Sequence, residues 1–288
     1  MTAHAVQERK HNKVPMMETL IRILDWPMKR PELYGWYHLL WWVIPLVAVW
    51  VLCRCWKNSR DPERFCRRVV FGTAVVVAVF EVLHQFNYNV VWEDGAVQLD
   101  PMWYAFPFQF CSTPMYAGLL TGLFRKGRIH DALCAYLATY AVFAGLCVMI
   151  YPAEVYTRTI LTNVQTMVCH SSMLTIGIFL FYTGHVKREH RTILRAAPVF
   201  AVCVGVAALL NEIAYWTGLL EEHTFNMFFI SPHCEPSLPV YSLVQAVVPY
   251  PWCLMIYVLV FSLAAYVILL LAMGIERLWA RKRASEAK

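Results

Sequence analysis

Charge is what this sequence has least of. Asp, Glu, Lys and Arg make up 15% of its 288 residues, against about 25% in an ordinary globular chain. Apolar residues make up 59%, so a large soluble helical protein is a poor fit. A basic nucleic-acid-binding motif is also missing, and the net charge of +6 suits loops that face anionic lipid better than a nucleic-acid partner. No apolar h-region with a small-residue cleavage site precedes the first long apolar run, so no cleaved leader is expected. No internal repeat divides the chain. Cysteine is not scarce, but Cys53, Cys111, Cys134, Cys147, Cys169, Cys203 and Cys253 fall in apolar stretches. There the thiol behaves as a small hydrophobe, and no disulfide framework follows. His233 and Cys234 are adjacent in the chain, a poor basis for a closed metal site, and neither a metal nor another cofactor is expected.

What the chain has in quantity is long apolar segments. They run over 36–53, 69–88, 102–124, 132–151, 164–182, 193–216 and 252–275. Each is near or above the roughly 20 residues that cross the hydrocarbon layer. The expected fold class is therefore all-α, a polytopic membrane protein of about seven transmembrane helices. The stretch 244–249 either extends the last span or forms a separate re-entrant piece.

Charges between the spans alternate in sign. Arg54, Lys57, Arg60, Arg64, Arg67 and Arg68 follow the first span, and Glu93, Asp94 and Asp100 follow the second. Arg125, Lys126 and Arg128 follow the third, Glu154 and Arg158 the fourth, and Lys187, Arg188, Arg191 and Arg195 the fifth. Glu221 and Glu222 follow the sixth, and the tail carries Arg277, Arg281, Lys282, Arg283 and Lys288. The positive-inside rule then places the N-terminus outside and the C-terminus in the cytoplasm. The N-terminal residues Arg9, Lys10, Lys13, Arg22, Lys29 and Arg30 run against that assignment.

Three parts follow: a tail over 1–35 with an amphipathic interfacial segment near 14–26, one transmembrane domain over 36–278, and a basic cytoplasmic tail over 279–288. The segment 225–240, with Pro232, Pro236 and Pro239, cannot be one continuous helix. It reads as a partly inserted loop on the external side, which requires that protein or a wet cavity cover its backbone.

Polar residues inside the spans are the candidates for function. Glu81, His84, Gln85 and Tyr88 share a helix face in the second span, and Asn163, Thr166 and His170 share one in the fifth. Gln109 and Cys111 lie in the third, Gln165 in the fifth, and Asn211 and Glu212 in the sixth. Ionisable groups in a bilayer usually face the bundle interior, so these spans are expected to converge on one chamber. Cys111 in FPFQFCSTP and His170 in QTMVCH lie at matched depth, near the midplane. An imidazole that takes the proton from a thiol makes a nucleophile able to attack an ester carbonyl. The same histidine can then protonate the leaving oxygen and activate the acceptor. Pro107 and Pro114 bracket Cys111, and a freed backbone N–H, Gln109 or Asn226 would serve as oxyanion donor.

The ordered set FPFQFC, YPAEVY, QTMVCHSSM, FNMFFISP and PYPW, spread over about 69–275, resembles the YwaF-type family of integral membrane proteins. The eukaryotic branch of that family includes a transmembrane acyltransferase that remodels ether phospholipids. Cys111 and His170 match the family's characteristic cysteine and histidine, Asn226, Met227 and Phe228 match the start of its loop motif, and 249–252 match its Pro–Trp–Pro-like segment. Departures are Ser171 in place of a glycine, Gln109 where many relatives have histidine, and a longer loop lacking the family's lysine–proline. The resemblance implies acyl transfer between phospholipids, with a phospholipid or lysophospholipid as partner and catalysis by Cys111 and His170. The supporting chamber would hold Gln109, Glu81, His84, Gln165, Asn211 and Asn226. The competing reading is a proton-coupled transporter or receptor in which Glu81 and His84 are the working pair. Either reading makes this a multi-pass integral membrane protein, in the plasma membrane if the source is bacterial.

Overall fold

Pro107 interrupts one of the apolar runs, whereas Pro45 and Pro198 lie inside continuous helices. The computed structural model describes residues 14–93, 95–219, 225–235, 238–250 and 252–286. Expectations placed on residues 1–13, Asp94, Glu221, Glu222, Pro236, Pro251 and Lys288 lie outside the described residues. Helices α1 (Val14–Leu24), α2 (Trp36–Lys57) and α3 (Pro62–Asn89) come first. Asp61 caps α3 by accepting the Arg64 N–H at 2.9 Å, and Pro62 follows where its missing N–H costs nothing. A hairpin of β1 (Val90–Glu93) and β2 (Ala96–Leu99) follows, with Gly95 at φ +74° before the second strand.

Next come α4 (Thr113–Leu123) and α5, which runs over Arg128–Ile150 with π-helical turns at Leu137–Ala141. The chain finishes with α6 (Ile160–Tyr182), α7 (Arg191–Trp216), α8 (Pro239–Val247) and α9 (Trp252–Glu286). Among the described residues, α2, α3, α5, α6, α7 and α9 are the six helices long and apolar enough to cross a membrane.

The expected third span is therefore corrected. Residues 102–112 are not helical through their length: two 3₁₀ turns, Trp103–Ala105 and Phe110–Ser112, are joined by extended backbone around Pro107. The helix that follows has 11 residues, about 16 Å long and so half of a roughly 30 Å hydrocarbon layer. Pro107 has no N–H to give a helix and biases the residue before it to extended backbone. Pro114 is harmless in the first turn of α4. The stretch 244–249 likewise does not extend α9; it belongs largely to the separate helix α8.

Burial separates an inner pair of helices from an outer ring. The apolar windows of α5 and α6 are 72% and 78% buried, against 17–28% for the other four spanning helices. Exposed Leu, Val, Ile and Trp side chains on α2, α3, α7 and α9 form an outer surface fit for lipid. Around the inner pair, α2 and α3 pack on α6, α4 on α3, and α7 on α5, with α9 against α7.

The N-terminal segment sits at the acidic end of the bundle despite its basic residues. Pro27 bridges to Thr159, the Met28 N–H donates to Arg158 O at 2.7 Å, and Ile160 N–H donates to Trp26 O at 3.0 Å. These bonds tie 26–28 to the loop that follows α5, while α1 packs against the hairpin and α3. The exposed side chains of Met16, Leu20 and Ile23 on α1 suit a helix lying in a membrane interface. His38 fastens the same end: its Nδ1 accepts the Tyr34 N–H at 3.0 Å, so its Nε2 is the donor to Met149 O at 2.7 Å.

The inner pair meets without a spacer at Gly145. A Cβ there would stand 2.8 Å from His170 O and 2.9 Å from Met173 Cβ, so backbone would have to shift. Gly145→Ala should lower the melting temperature of detergent-purified protein, at a cost of about 1–3 kcal/mol for overpacking. Gly205→Ala adds a Cβ with nothing within 4 Å and should melt like the parent. Equal melting of the two variants would contradict the close α5–α6 approach.

Candidate functional site

The sequence expects one polar chamber, and the structure builds two adjoining clusters. The first centres on Glu81, 8% exposed on α3. Gln85 Nε2 donates to its Oε1 at 2.8 Å, and Gln165 Nε2 reaches across from α6 to its Oε2 at 2.7 Å. Gln85 also donates to Ala105 O at 2.7 Å, which anchors the broken segment ahead of α4. His84 Nδ1 lies 3.8 Å from Glu81 Oε1 and has no hydrogen-bond partner among the described residues, while its ring packs on Tyr88 with centroids 4.2 Å apart. The i, i+3, i+4 and i+7 spacing from Glu81 to Tyr88 is why these groups share a face.

The second cluster holds the loop that follows α7. Met227, Phe228 and Ile230 have no exposed surface, and Phe228 and Phe229 both take φ near +57°. A side chain in that left-handed region costs free energy, so the surroundings must hold it. Asn211 does so from α7, accepting the Met227 N–H at 2.7 Å and donating to Met227 O at 3.1 Å. Gln109 does the same from the other side, accepting the Phe228 N–H at 2.8 Å and donating to Asn226 O at 3.0 Å. Asn226 turns back on its own loop to accept the Ser231 N–H at 2.9 Å, and Tyr257 OH donates to Phe228 O at 3.1 Å. The Phe228 ring is enclosed by Phe108, Phe110 and Phe200. Gln109 and Asn211 thus spend their carboxamides on loop backbone, and the buried loop satisfies the need for covered irregular backbone.

Cys111 lies where the two clusters meet. It is half-buried in the 3₁₀ turn two residues past Gln109, at the start of α4. Its carbonyl accepts from Cys169 Sγ at 3.4 Å, which fixes the turn against α6. His170 is the next residue on α6, about 100° further round the helix. Its Nδ1 donates to Thr166 O at 2.7 Å, so the proton of the neutral ring is on Nδ1 and Nε2 carries the lone pair. That Nε2 is buried and has no hydrogen-bond partner among the described residues, Cys111 Sγ included.

An apolar groove runs beside the cysteine turn between α3, α4 and α6. It has room for about 30 Å³ and is lined by Ala74, Val77, Pro114, Met115, Gly118 and Cys169 among others. Gly118 permits the close passage of α4 over α3, since a Cβ there would stand 2.7 Å from the Ala74 Cβ. Sequence reading treated Cys169 as filler. Its signal was its place beside His170 and four residues after Gln165, on the face that meets Glu81.

The double clasp on the loop predicts a local phenotype. Asn211→Ala leaves the buried Met227 N–H unpaired, at about 1–3 kcal/mol, and leaves Met227 O with only the 3.4 Å bond from the Ile230 N–H. Amide exchange over 225–235 should accelerate strongly while α5 and α6 stay protected, as read by hydrogen–deuterium exchange in detergent. Unchanged exchange in that loop would show that the Asn211 bonds do not hold it.

The chain belongs to the TMEM164 family, whose model matches residues 33–271. No curated protein and no solved structure was found to match it.

Proposed function

We propose that this member of the TMEM164 family is a membrane-embedded cysteine–histidine acyltransferase, or acyl hydrolase, acting on phospholipid esters through an acyl-cysteine. The observation that carries this reading is the state of His170. A buried imidazole nitrogen without a partner costs several kcal/mol in an apolar setting, and the Nδ1–H bond to Thr166 O leaves the lone pair of Nε2 unused. A base in that condition has a use if a proton is delivered to it. The Cys111 turn, bonded through its carbonyl to the residue before His170, carries a candidate proton.

The reaction follows from these groups. Cys111 Sγ gives its proton to His170 Nε2, after side-chain rotation or through one water, and attacks the ester carbonyl. A carbon–sulfur bond forms, the ester carbon–oxygen bond breaks, and His170 returns the proton to the leaving lysophospholipid oxygen. In the second half His170 takes the proton of the acceptor, a lysophospholipid alcohol or water. The acceptor oxygen displaces the thiolate and the thiol is restored. Backbone N–H groups at the start of α4, favoured by the helix dipole, are the natural donors to the oxyanion. The groove lined by Pro114 and Cys169 has apolar walls of the kind an acyl chain needs, and it would have to widen to admit one. Gln109 and Asn226 support the site by shaping the loop over it rather than by touching substrate.

The buried Glu81 favours a second reading, proton-coupled transport or ligand binding. His84 faces that carboxylate with an unpaired Nδ1, an arrangement able to exchange a proton.

An acyl-bearing electrophilic phospholipid probe separates the two. Cys111→Ala should lose all labelling at this site and all acyl transfer. His170→Ala should lose a factor of about 10²–10⁴ in transfer. Cys169→Ala, which keeps the thiol and the base, should still be labelled. All three should elute as the parent does in detergent. Labelling unchanged in Cys111→Ala ends the enzyme reading. Uptake that depends on pH, survives Cys111→Ala and fails in Glu81→Gln would replace it with transport.

A further inference from the structure

Past the end of α4 far from Cys111, three metal-ligating side chains converge for which the reading above has no use. His130 and Cys134 lie one turn apart on α5, and His185 comes from the loop joining α6 to α7. His130 Nε2 and His185 Nε2 are 3.1 Å apart, Cys134 Sγ is 3.5 Å from His130 Nε2, and all three ligand atoms lie within 4.8 Å of one another. His130 and Cys134 are buried and His185 is half-buried.

Hydrogen bonding alone does not account for this convergence. His130 Nδ1 faces Phe124 O at 2.8 Å, and a carbonyl can only accept, so Nδ1 carries the proton of the neutral ring. Nε2 of His130 then offers one lone pair, and both His185 and the Cys134 thiol point at it. One acceptor site faces two donors. A cation at the centre removes the conflict, since each of the three atoms then directs a lone pair at it.

The spacing agrees. Around a tetrahedral zinc-class ion, bond lengths near 2.05 Å to nitrogen and 2.3 Å to sulfur imply ligand separations of about 3.3 Å for N···N and about 3.6 Å for N···S. The observed 3.1 and 3.5 Å are close to both. The His130–Phe124 bond is also the outer contact that orients metal-bound imidazoles. Glu63 and Asp131 act electrostatically on His185 in the sense that favours a cation, and Arg67, paired with Glu63 at 2.6 Å, acts against them.

We infer that His130, Cys134 and His185 form a binding site for a zinc-class divalent cation, with three protein ligands and a fourth position for water. This revises the expectation of no metal. It does not rest on the acyl-transfer reading. The site pins the start of α5 to the loop that begins α7, where the basic residues Arg67, Arg125 and Arg128 cluster.

Cobalt(II) titration of the full-length protein in detergent, after removal of bound metal by chelation, tests it. The expected result is saturation at one equivalent with tetrahedral visible bands and a thiolate-to-cobalt charge-transfer band, both displaced by zinc(II). Cys134→Ser should lose the charge-transfer band. His185→Ala, a change in a loop, should weaken binding about tenfold or more. Cys234→Ser, beside His233, should leave the spectrum unchanged. The inference is overturned if folded wild-type protein takes up no cobalt. It is equally overturned if the charge-transfer band persists in Cys134→Ser, or if His185→Ala binds as tightly as the parent. Loss of the band in Cys234→Ser would assign the ion elsewhere and also overturn it.

Discussion

A polar group inside a hydrocarbon layer must find its partner within the protein, and this structure is arranged around that requirement. Two stretches at the heart of the bundle, 102–112 and 225–231, have irregular backbone whose N–H and C=O groups no helix can satisfy. They satisfy each other through intermediaries. Gln109, itself in the first stretch, spans two peptide groups of the second; Asn211 and Tyr257 complete the set from α7 and α9. Losing the bond to the Met227 or the Phe228 N–H would leave that buried donor unpaired, at a cost of about 1–3 kcal/mol. The left-handed backbone of Phe228 and Phe229 is held by these bonds and by the aromatic rings around Phe228.

This interlock positions the cysteine. Cys111 is carried on the same broken segment, two residues beyond Gln109, so holding the loop also holds the turn. On its other side the turn is fixed by Cys169, and α6 is fixed in turn by the Gln165–Glu81 bond to α3. Glu81 therefore has a structural use whichever functional reading holds. It accepts two amide donors and ties α3 to α6, while His170 is left with a free nitrogen. Among the described residues His84 Nδ1 shares that condition with His170 Nε2, so each of these two histidines keeps one buried ring nitrogen without a partner.

Much of this was legible from residue order. The scarcity of charge and the length of the apolar runs were enough for an all-α multi-pass membrane protein, and six of the seven expected spans coincide with long helices. The shared face of Glu81, His84, Gln85 and Tyr88 followed from helical spacing. Other features were not legible. The run 102–124 is apolar enough to be read as a span, because a hydropathy count does not register that Pro107 interrupts it. Gln109 and Asn211 were recognisable as polar groups in an apolar setting, but their partners are more than 110 and about 16 residues away in sequence. The trio His130, Cys134 and His185 went unnoticed because its third member is 55 residues from the first.

Sequence alone determined the solvent of this protein, since the free energy of placing a residue in lipid or water depends on that residue and its near neighbours. It also determined which helix faces carry polar groups, because the 3.6-residue period is a local property. Only the tertiary structure decided which of those groups are partnered. Pairing depends on distances between segments far apart in the chain, and a shift of one helix turn would exchange every partner. The tautomer of His170, the two clasps on the 226–228 backbone and the convergence of three ligand atoms beside α5 all belong to that second kind of fact.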